Sequence, residues 1–203
     1  MKKAIFNLIL LGDPAAGKAT QAVKLLARYP QLQEFDFGNW LRSLSPRAAK
    51  RVKFEYTMRG NLTPTQFARA KFKEVIFTTP LSRGVFLNGN PKMLGEARLV
   101  CKWFREAKRT DPLVLYLSIP KREILKRIGI RAHEGGRSDD RMEHLRNRMR
   151  YYAKDISAVV RFFEKQYRFK KISGMGTRAD VYRRLTGYID RELAREGNSH
   201  GVR

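Results

Sequence analysis

Seven residues limit what this chain can fold into more than any others. Gly12-Asp13-Pro14-Ala15-Ala16-Gly17-Lys18 stand between an almost wholly apolar run, Ala4–Leu11, and a helical stretch from Gly17 to Tyr29 that stops at Pro30. The apolar run reads as a strand buried on both faces, and Val23, Leu25 and Leu26 are expected on the inner side of the helix. Glycines let the loop backbone curl until successive N–H groups face one point. The helix start adds partial positive charge there, and a lysine ammonium stands beside it. Strand, loop, helix and lysine in this register form a receptacle for polyphosphate. The expected nucleotide-binding residues are Gly12, Asp13, Pro14, Ala15, Ala16, Gly17, Lys18, Ala19 and Thr20, with Lys18 reaching the outer phosphates. Thr20, one position later than the usual hydroxyl, can offer its oxygen to Mg2+ or to a phosphate.

Behind the loop the pattern alternates. Residues 31–37 read as a short extended piece, and helices are expected over 38–56 and 64–77, parted by Arg59-Gly60-Asn61. Val85-Phe86-Leu87 predicts a buried strand that ends in the turn Asn88-Gly89-Asn90-Pro91. A helix over 94–108, a strand over Pro112–Ile119 and a helix from Pro120 to Ala132 follow. The loop His133–Ser138, a long helix Asp139–Gln166, a strand Arg168–Ile172 and a helix over 178–194 complete the order. This alternation predicts an α/β fold of three layers, a parallel sheet with helices on both faces. One domain over 1–195 is expected, with 196–203 a mobile tail. No run approaches the roughly 18 apolar residues of a membrane-spanning helix, and no small-residue cleavage site precedes the loop. The expectation is therefore a cytoplasmic protein with no membrane partner. The single cysteine, Cys101, excludes an internal disulfide and a four-cysteine zinc site.

The loop continues to Gln21 as GDPAAGKATQ, and from there the chain resembles adenylate kinases and related nucleoside monophosphate kinases, whose loop reads GxPGAGKGTQ. Gly38-Asn39-Trp40-Leu41-Arg42 is similar to the family's GDxLR segment, and Gly60-Asn61-Leu62-Thr63-Pro64 to its GxLVP turn. Asn88-Gly89-Asn90-Pro91-Lys92-Met93 is similar to DGFPRT, with Glu96 where a glutamine follows. Arg127 and Arg131 resemble R-I-x-x-R, and Arg137-Ser138-Asp139-Asp140 with Glu143 and Arg148 resembles the arginine- and aspartate-bearing stretch beyond it. The matches keep the family's order over nearly the whole chain.

The resemblance implies a P-loop core, a monophosphate-binding insertion over 38–79 and a short lid over 132–138. It also implies a protein that uses ATP and Mg2+ and reversibly transfers the γ-phosphate to AMP or another nucleoside monophosphate; a monomer is expected. By the same resemblance, Gly38, Arg42, Leu62, Gly89, Lys92 and Glu96 would hold the monophosphate. Lys18, Arg127, Arg131, Arg137 and Arg148 would be catalytic, closing on the transferring group. Such chemistry needs charge neutralised and oxygens aligned rather than covalent help from the protein, and a guanidinium supplies a two-point grip that stays charged. Taken singly, each arginine reads more readily as a solvated surface charge, and it is the register of the set that supports the functional reading; Asp139 and Asp140 more often cap a helix than act chemically.

The departures carry their own expectations. Where the family has an aspartate that orders Mg2+ and its waters, this chain has Asn88, so a weaker, water-mediated hold on the metal is expected and Asn88→Asp should preserve or raise transfer. Asn39 replaces another acid, Phe37 a threonine, and Lys92 an arginine. Ala15 and Ala19 replace loop glycines, which is tolerable where φ is negative. Glu96 bears on the acceptor base: an ionised carboxylate only accepts, which suits the N1–H and N2 amine of guanine better than adenine. An outward-turned Glu96 is the alternative.

Lys and Arg total 43 against 19 acids, a net charge of +24. Such a field concentrates polyanions, but the basic residues are spread along the chain, so a generally basic surface explains the charge as well as nucleic-acid contact does. Two alternatives to an active kinase stand beside the first reading. One is a nucleotide-binding homologue with weakened catalysis, suggested by Asn88, Asn39, Lys92 and Phe37. The other is an RNA-associated protein, motivated by charge alone.

Overall fold

The structure is a computed structural model that describes residues 5–45, 47–48, 65–133 and 155–199. Within them, β1 (Leu8–Gly12), β2 (Leu32–Asp36), β3 (Gly84–Asn88), β4 (Leu113–Ser118) and β5 (Phe169–Ser173) form one parallel sheet in the order β2-β3-β1-β4-β5. Around it lie α1 (Lys18–Arg28), α2 (Phe37–Ser43), α3 (Thr65–Thr78), α4 (Leu94–Glu106), α5 (Lys121–His133), α6 (155–166) and α7 (Arg178–Ser199). The expected α/β architecture, a parallel sheet wrapped by helices, is what the chain adopts.

The apolar continuity of β1 follows from its central place. Leu8 and Leu10 join Phe86, Leu115 and Leu117 in a core with Leu25 of α1 and Leu185 and Ile189 of α7. Ile9 and Leu11 join Val85, Leu87 and Val114 in a second core with Phe72 of α3, Phe104 of α4 and Phe163 of α6. A strand covered on both faces has no polar side to alternate with. From β1 the sheet grows toward β3 on one flank and β4 on the other. A crevice therefore opens at the C-terminal end of β1, where strand order reverses, and residues 12–17 lie there.

Several expectations need correction. Val23 is 69% exposed, and the buried stripe of α1 is Gln21, Ala22 and Leu25, continued by Tyr29. Positions 22, 25 and 29 share one helix face at 3.6 residues per turn, and 23 does not. The helix expected over 38–56 starts at Phe37, where the Asp36 carboxylate accepts from the Asn39 N–H at 2.9 Å, and ends at Ser43 with Leu44 extended. Pro46 accounts for the break, because a proline pushes the chain before it out of helical geometry. Ser45 Oγ then accepts from the Ala48 N–H at 3.3 Å. The last helix runs to Ser199 rather than 194, so 196–199, expected in the tail, are helical. No proline follows to stop it, and Arg195 pairs with Glu192 at 2.8 Å. The expected turn 59–61, residues 134–138 of the loop expected over 133–138 and residues 139–154 of the helix expected over 139–166 lie outside the described residues, as do Leu62, Arg137, Arg148 and residues 200–203. No helix among the described residues is long and apolar enough to cross a membrane.

Candidate functional site

The loop after β1 is built by close approach to β4. The Asp13 N–H donates to the Leu117 carbonyl at 2.8 Å, and a Cβ on Gly12 would lie 2.5 Å from that same oxygen. Only glycine fits there. Gly17, at φ 93, turns the chain into α1 in the left-handed region. The Asp13 side chain faces away from the cradle: its carboxylate accepts from the Tyr116 hydroxyl at 2.5 Å and from the Ile119 N–H at 2.8 Å. Asp13 thus contributes its backbone to the loop while its side chain braces the loop against β4.

Ala15 departs from expectation. Its φ is 58°, in the left-handed region, not negative. A side chain there costs about 1–2 kcal/mol, partly offset because glycine orders a freer unfolded chain. Ala15→Gly is therefore expected to raise stability by about 0.5–1 kcal/mol, read as a melting temperature about 2 °C higher by calorimetry. A lower melting temperature would count against the assigned loop geometry.

Two cations from different helices meet on this loop. Lys18 Nζ donates to the Gly12 carbonyl at 2.6 Å and the Asp13 carbonyl at 2.8 Å. Its stem also passes close to Gly89 at the exit of β3, where an added Cβ would lie 3.7 Å from Lys18 Cε. Arg127 of α5 is ion-paired to Glu123 at 2.7 Å and donates to the Ala15 carbonyl at 3.4 Å and the Gly174 carbonyl at 3.2 Å. Gly174 is itself wedged against the loop, with room for no side chain between Ile119 and the Ala16 carbonyl. Ala19 and Thr20 sit exposed in the first turn of α1.

At the end of β3, Asn88 is 3% exposed and its Nδ2 donates to Glu34 Oε1 of β2 at 2.7 Å. Burial pushes the Glu34 carboxyl above its usual range; the Asn88 N–H opposes that shift, and the neighbouring Asp36 adds to it. Amide, carboxylate and hydroxyl oxygens from Asn88, Glu34 and Thr20 are the hard donors that Mg2+ takes together with water and phosphate, so the residues present suit that ion.

Glu96 is turned inward at 4% exposure. It stands in the first turn of α4, where its Oε2 accepts from the Lys92 N–H at 3.2 Å. Burial raises its pKa, while the N–H groups of Lys92 and Met93 and the charges of Lys92 and Arg69 hold it down. Phe37 packs at 5% exposure among Phe35, Trp40 and Phe72, with ring centroids 5.2–6.4 Å apart. Gly38 lies in α2, while the side chains of Arg42 and Arg131 lie outside the described residues.

Three charged residues near the site escaped the sequence reading: Glu34, Asp36 and Arg69. Glu34 and Asp36 lie on either side of Phe35 in β2, a period-two signal that puts both acids on one face. Arg69 of α3 comes so close to α4 that a Cβ on Gly95 would lie 3.2 Å from its terminal nitrogen, and its buried Nε has no hydrogen-bond partner.

The sequence model of the family described as adenylate kinase matches residues 10–168. Among curated proteins, the adenylate kinase of Bacteroides thetaiotaomicron is 23% identical over 189 residues, covering 92% of this chain and all of that protein. The adenylate kinase of Xanthomonas oryzae pv. oryzae is 26% identical over 189 residues, 91% of this chain and all of that protein. That of a Cyanothece species is 29% identical over 187 residues, 91% of this chain and 95% of its own.

Proposed function

Since the chain belongs to the adenylate kinase family and is a phosphotransferase, we propose that it reversibly transfers the γ-phosphate of ATP to a nucleoside monophosphate, with AMP the expected acceptor. The observation that carries this reading is the convergence of Lys18 and Arg127 on the loop after β1. The loop amides and Lys18 bind the outer phosphates of ATP. Arg127 stands where charge builds up on the transferring group, and Arg131, Arg137 and Arg148 complete the set. Mg2+, when bound, would neutralise phosphate charge and orient its oxygens; Thr20, and Asn88 through a water, would hold it. Gly38, Arg42, Leu62, Gly89 and Lys92 receive the monophosphate. The protein acts in the cytoplasm as a monomer.

Glu96 decides how well the base is read. Ionised, its carboxylate offers only acceptors and matches the N1–H and N2 amine of guanine. Protonated, it offers a donor and an acceptor and matches adenine N1 and its N6 amine. Burial favours the protonated form, and Lys92, Arg69 and the amides of Lys92 and Met93 favour the ionised one. The ratio of kcat/KM for AMP to that for GMP is therefore expected to fall as pH rises through the raised pKa of Glu96. Taking a ratio cancels pH effects common to both acceptors. In Glu96→Gln the ratio should stay high and flat. Assays with Mg-ATP against AMP, GMP, CMP and UMP test activity and acceptor together: no transfer to any of them sinks the function, and an unchanged ratio in Glu96→Gln sinks only the role of Glu96.

A further inference from the structure

The contact between Asn88 and Glu34 crosses two strands and lies beside the phosphate loop. The register aligns Asp36 with Asn88 and Glu34 with Phe86, so Glu34, Asp36 and Asn88 share the face of the sheet that carries α1. A carboxylate only accepts hydrogen bonds, so Glu34 fixes which end of the Asn88 amide is which: Nδ2 faces β2 at 2.7 Å. β3 lies between β2 and β1. With its nitrogen held toward Glu34, the amide directs its oxygen away from that carboxylate; on the other flank of β3, β1 runs into the loop and the Lys18 stem passes Gly89.

We propose that Glu34 is a positioning residue: it locks the Asn88 amide with its oxygen toward the phosphate site and supplies, one strand away, the anionic charge that Asn88 itself lacks for the hydrated Mg2+ accompanying ATP. The inference rests on the kinase reading above. It reverses one expectation from the sequence. Asn88→Asp alone replaces the donor facing Glu34 with a second carboxylate, with Asp36 close by, so the pair repels or takes up a shared proton that cancels the added charge, and the change weakens the site instead of improving it. Exchanging the two chemistries, Glu34→Gln with Asn88→Asp, restores one donor, one acceptor and one charge to the pair.

The test is the Mg2+ dependence of binding of a fluorescent ATP analogue to the wild-type chain, E34Q, N88D and E34Q/N88D, with the Mg2+ dependence of transfer in parallel and melting temperatures as a control for folding. Removing an outer partner of this kind costs about tenfold in metal response. E34Q is therefore expected to need about ten times more Mg2+ for half-maximal nucleotide affinity, with kcat lowered more than KM for the monophosphate is changed. N88D should be impaired to at least the same degree and melt lower. The double variant should return to within a few-fold of wild type. A purely structural role for Glu34 would lower the melting temperature without moving the Mg2+ response, and that result overturns the proposal. So does a double variant whose defect is the sum of the single ones, or an N88D chain better than wild type. A wild-type chain that binds no ATP removes the kinase reading and this inference with it, whereas an unchanged Mg2+ response in E34Q beside an active wild type removes this inference alone.

Discussion

Lys18→Ala is expected to lower phosphoryl transfer by about a thousandfold while shifting the melting temperature by no more than about 2 °C. The asymmetry follows from what the ammonium touches. Among its contacts are bonds to the Gly12 and Asp13 carbonyls of a half-buried loop, and water can take both places once the side chain is gone. Stability therefore changes little. Transfer has no such substitute, because water cannot neutralise charge gathering on the outer phosphate oxygens. Lys18→Arg keeps the charge but brings a planar fork on a longer reach beside Gly89, so it should restore little. Coupled detection of ADP with scanning fluorimetry separates the two quantities. If Lys18→Ala keeps more than about a tenth of wild-type transfer, Lys18 does not act on the phosphates. If it melts far below wild type, the bonds to Gly12 and Asp13 hold the loop together and the kinetic loss says nothing about catalysis.

What was legible in the sequence was what is local along the chain. The loop could be read because its strand, glycines and lysine lie within a dozen consecutive residues and each has a single structural use. The order of strands and helices could be read because β1, β3 and β4 are buried on both faces and their apolar runs are unbroken. Residues that depend on register between distant strands could not. Glu34 and Asn88 are 54 positions apart, and nothing in either segment says that β2 takes the edge beside β3. The left-handed turn at Ala15 is hidden for a related reason: alanine carries no mark of that conformation, which the loop imposes from outside. The inward turn of Glu96 follows from its place three residues after Met93 at the start of α4, where a glutamate folds back on its own helix terminus. The break at Leu44 was likewise written in Pro46.

The largest loss of stability is expected from a residue remote from the phosphates. Arg109→Met should destabilise the chain by about 4 kcal/mol, lowering the melting temperature by about 8–16 °C. α4 ends with Lys108 at φ 55, the Lys108 N–H on the Arg105 carbonyl and the Arg109 N–H on the Phe104 carbonyl, both at 2.9 Å. This close to the helix terminus turns the Arg109 side chain inward. At 9% exposure its Nε donates to the Ile76 carbonyl at 2.9 Å and its terminal nitrogens to Arg83 at 3.0 Å and to Thr79. One guanidinium thus serves the carbonyls at the end of α3 and in the turn into β3, groups that a helix terminus cannot satisfy by itself. Burial lowers the pKa of Arg109, so the charge is held there at a cost that those bonds offset. Methionine fills much of the volume and leaves buried acceptors with no donor, each costing about 1–3 kcal/mol. Arg109→Lys should recover only part, since one ammonium cannot face three carbonyls set out for a planar fork. Because α3 and the turn into β3 lead to Asn88, the loss should appear first as faster amide exchange over residues 76–88, at temperatures where the loop after β1 remains protected. Uniform exchange across the sheet, or a methionine variant as stable as wild type, would mean that the guanidinium does not hold this corner.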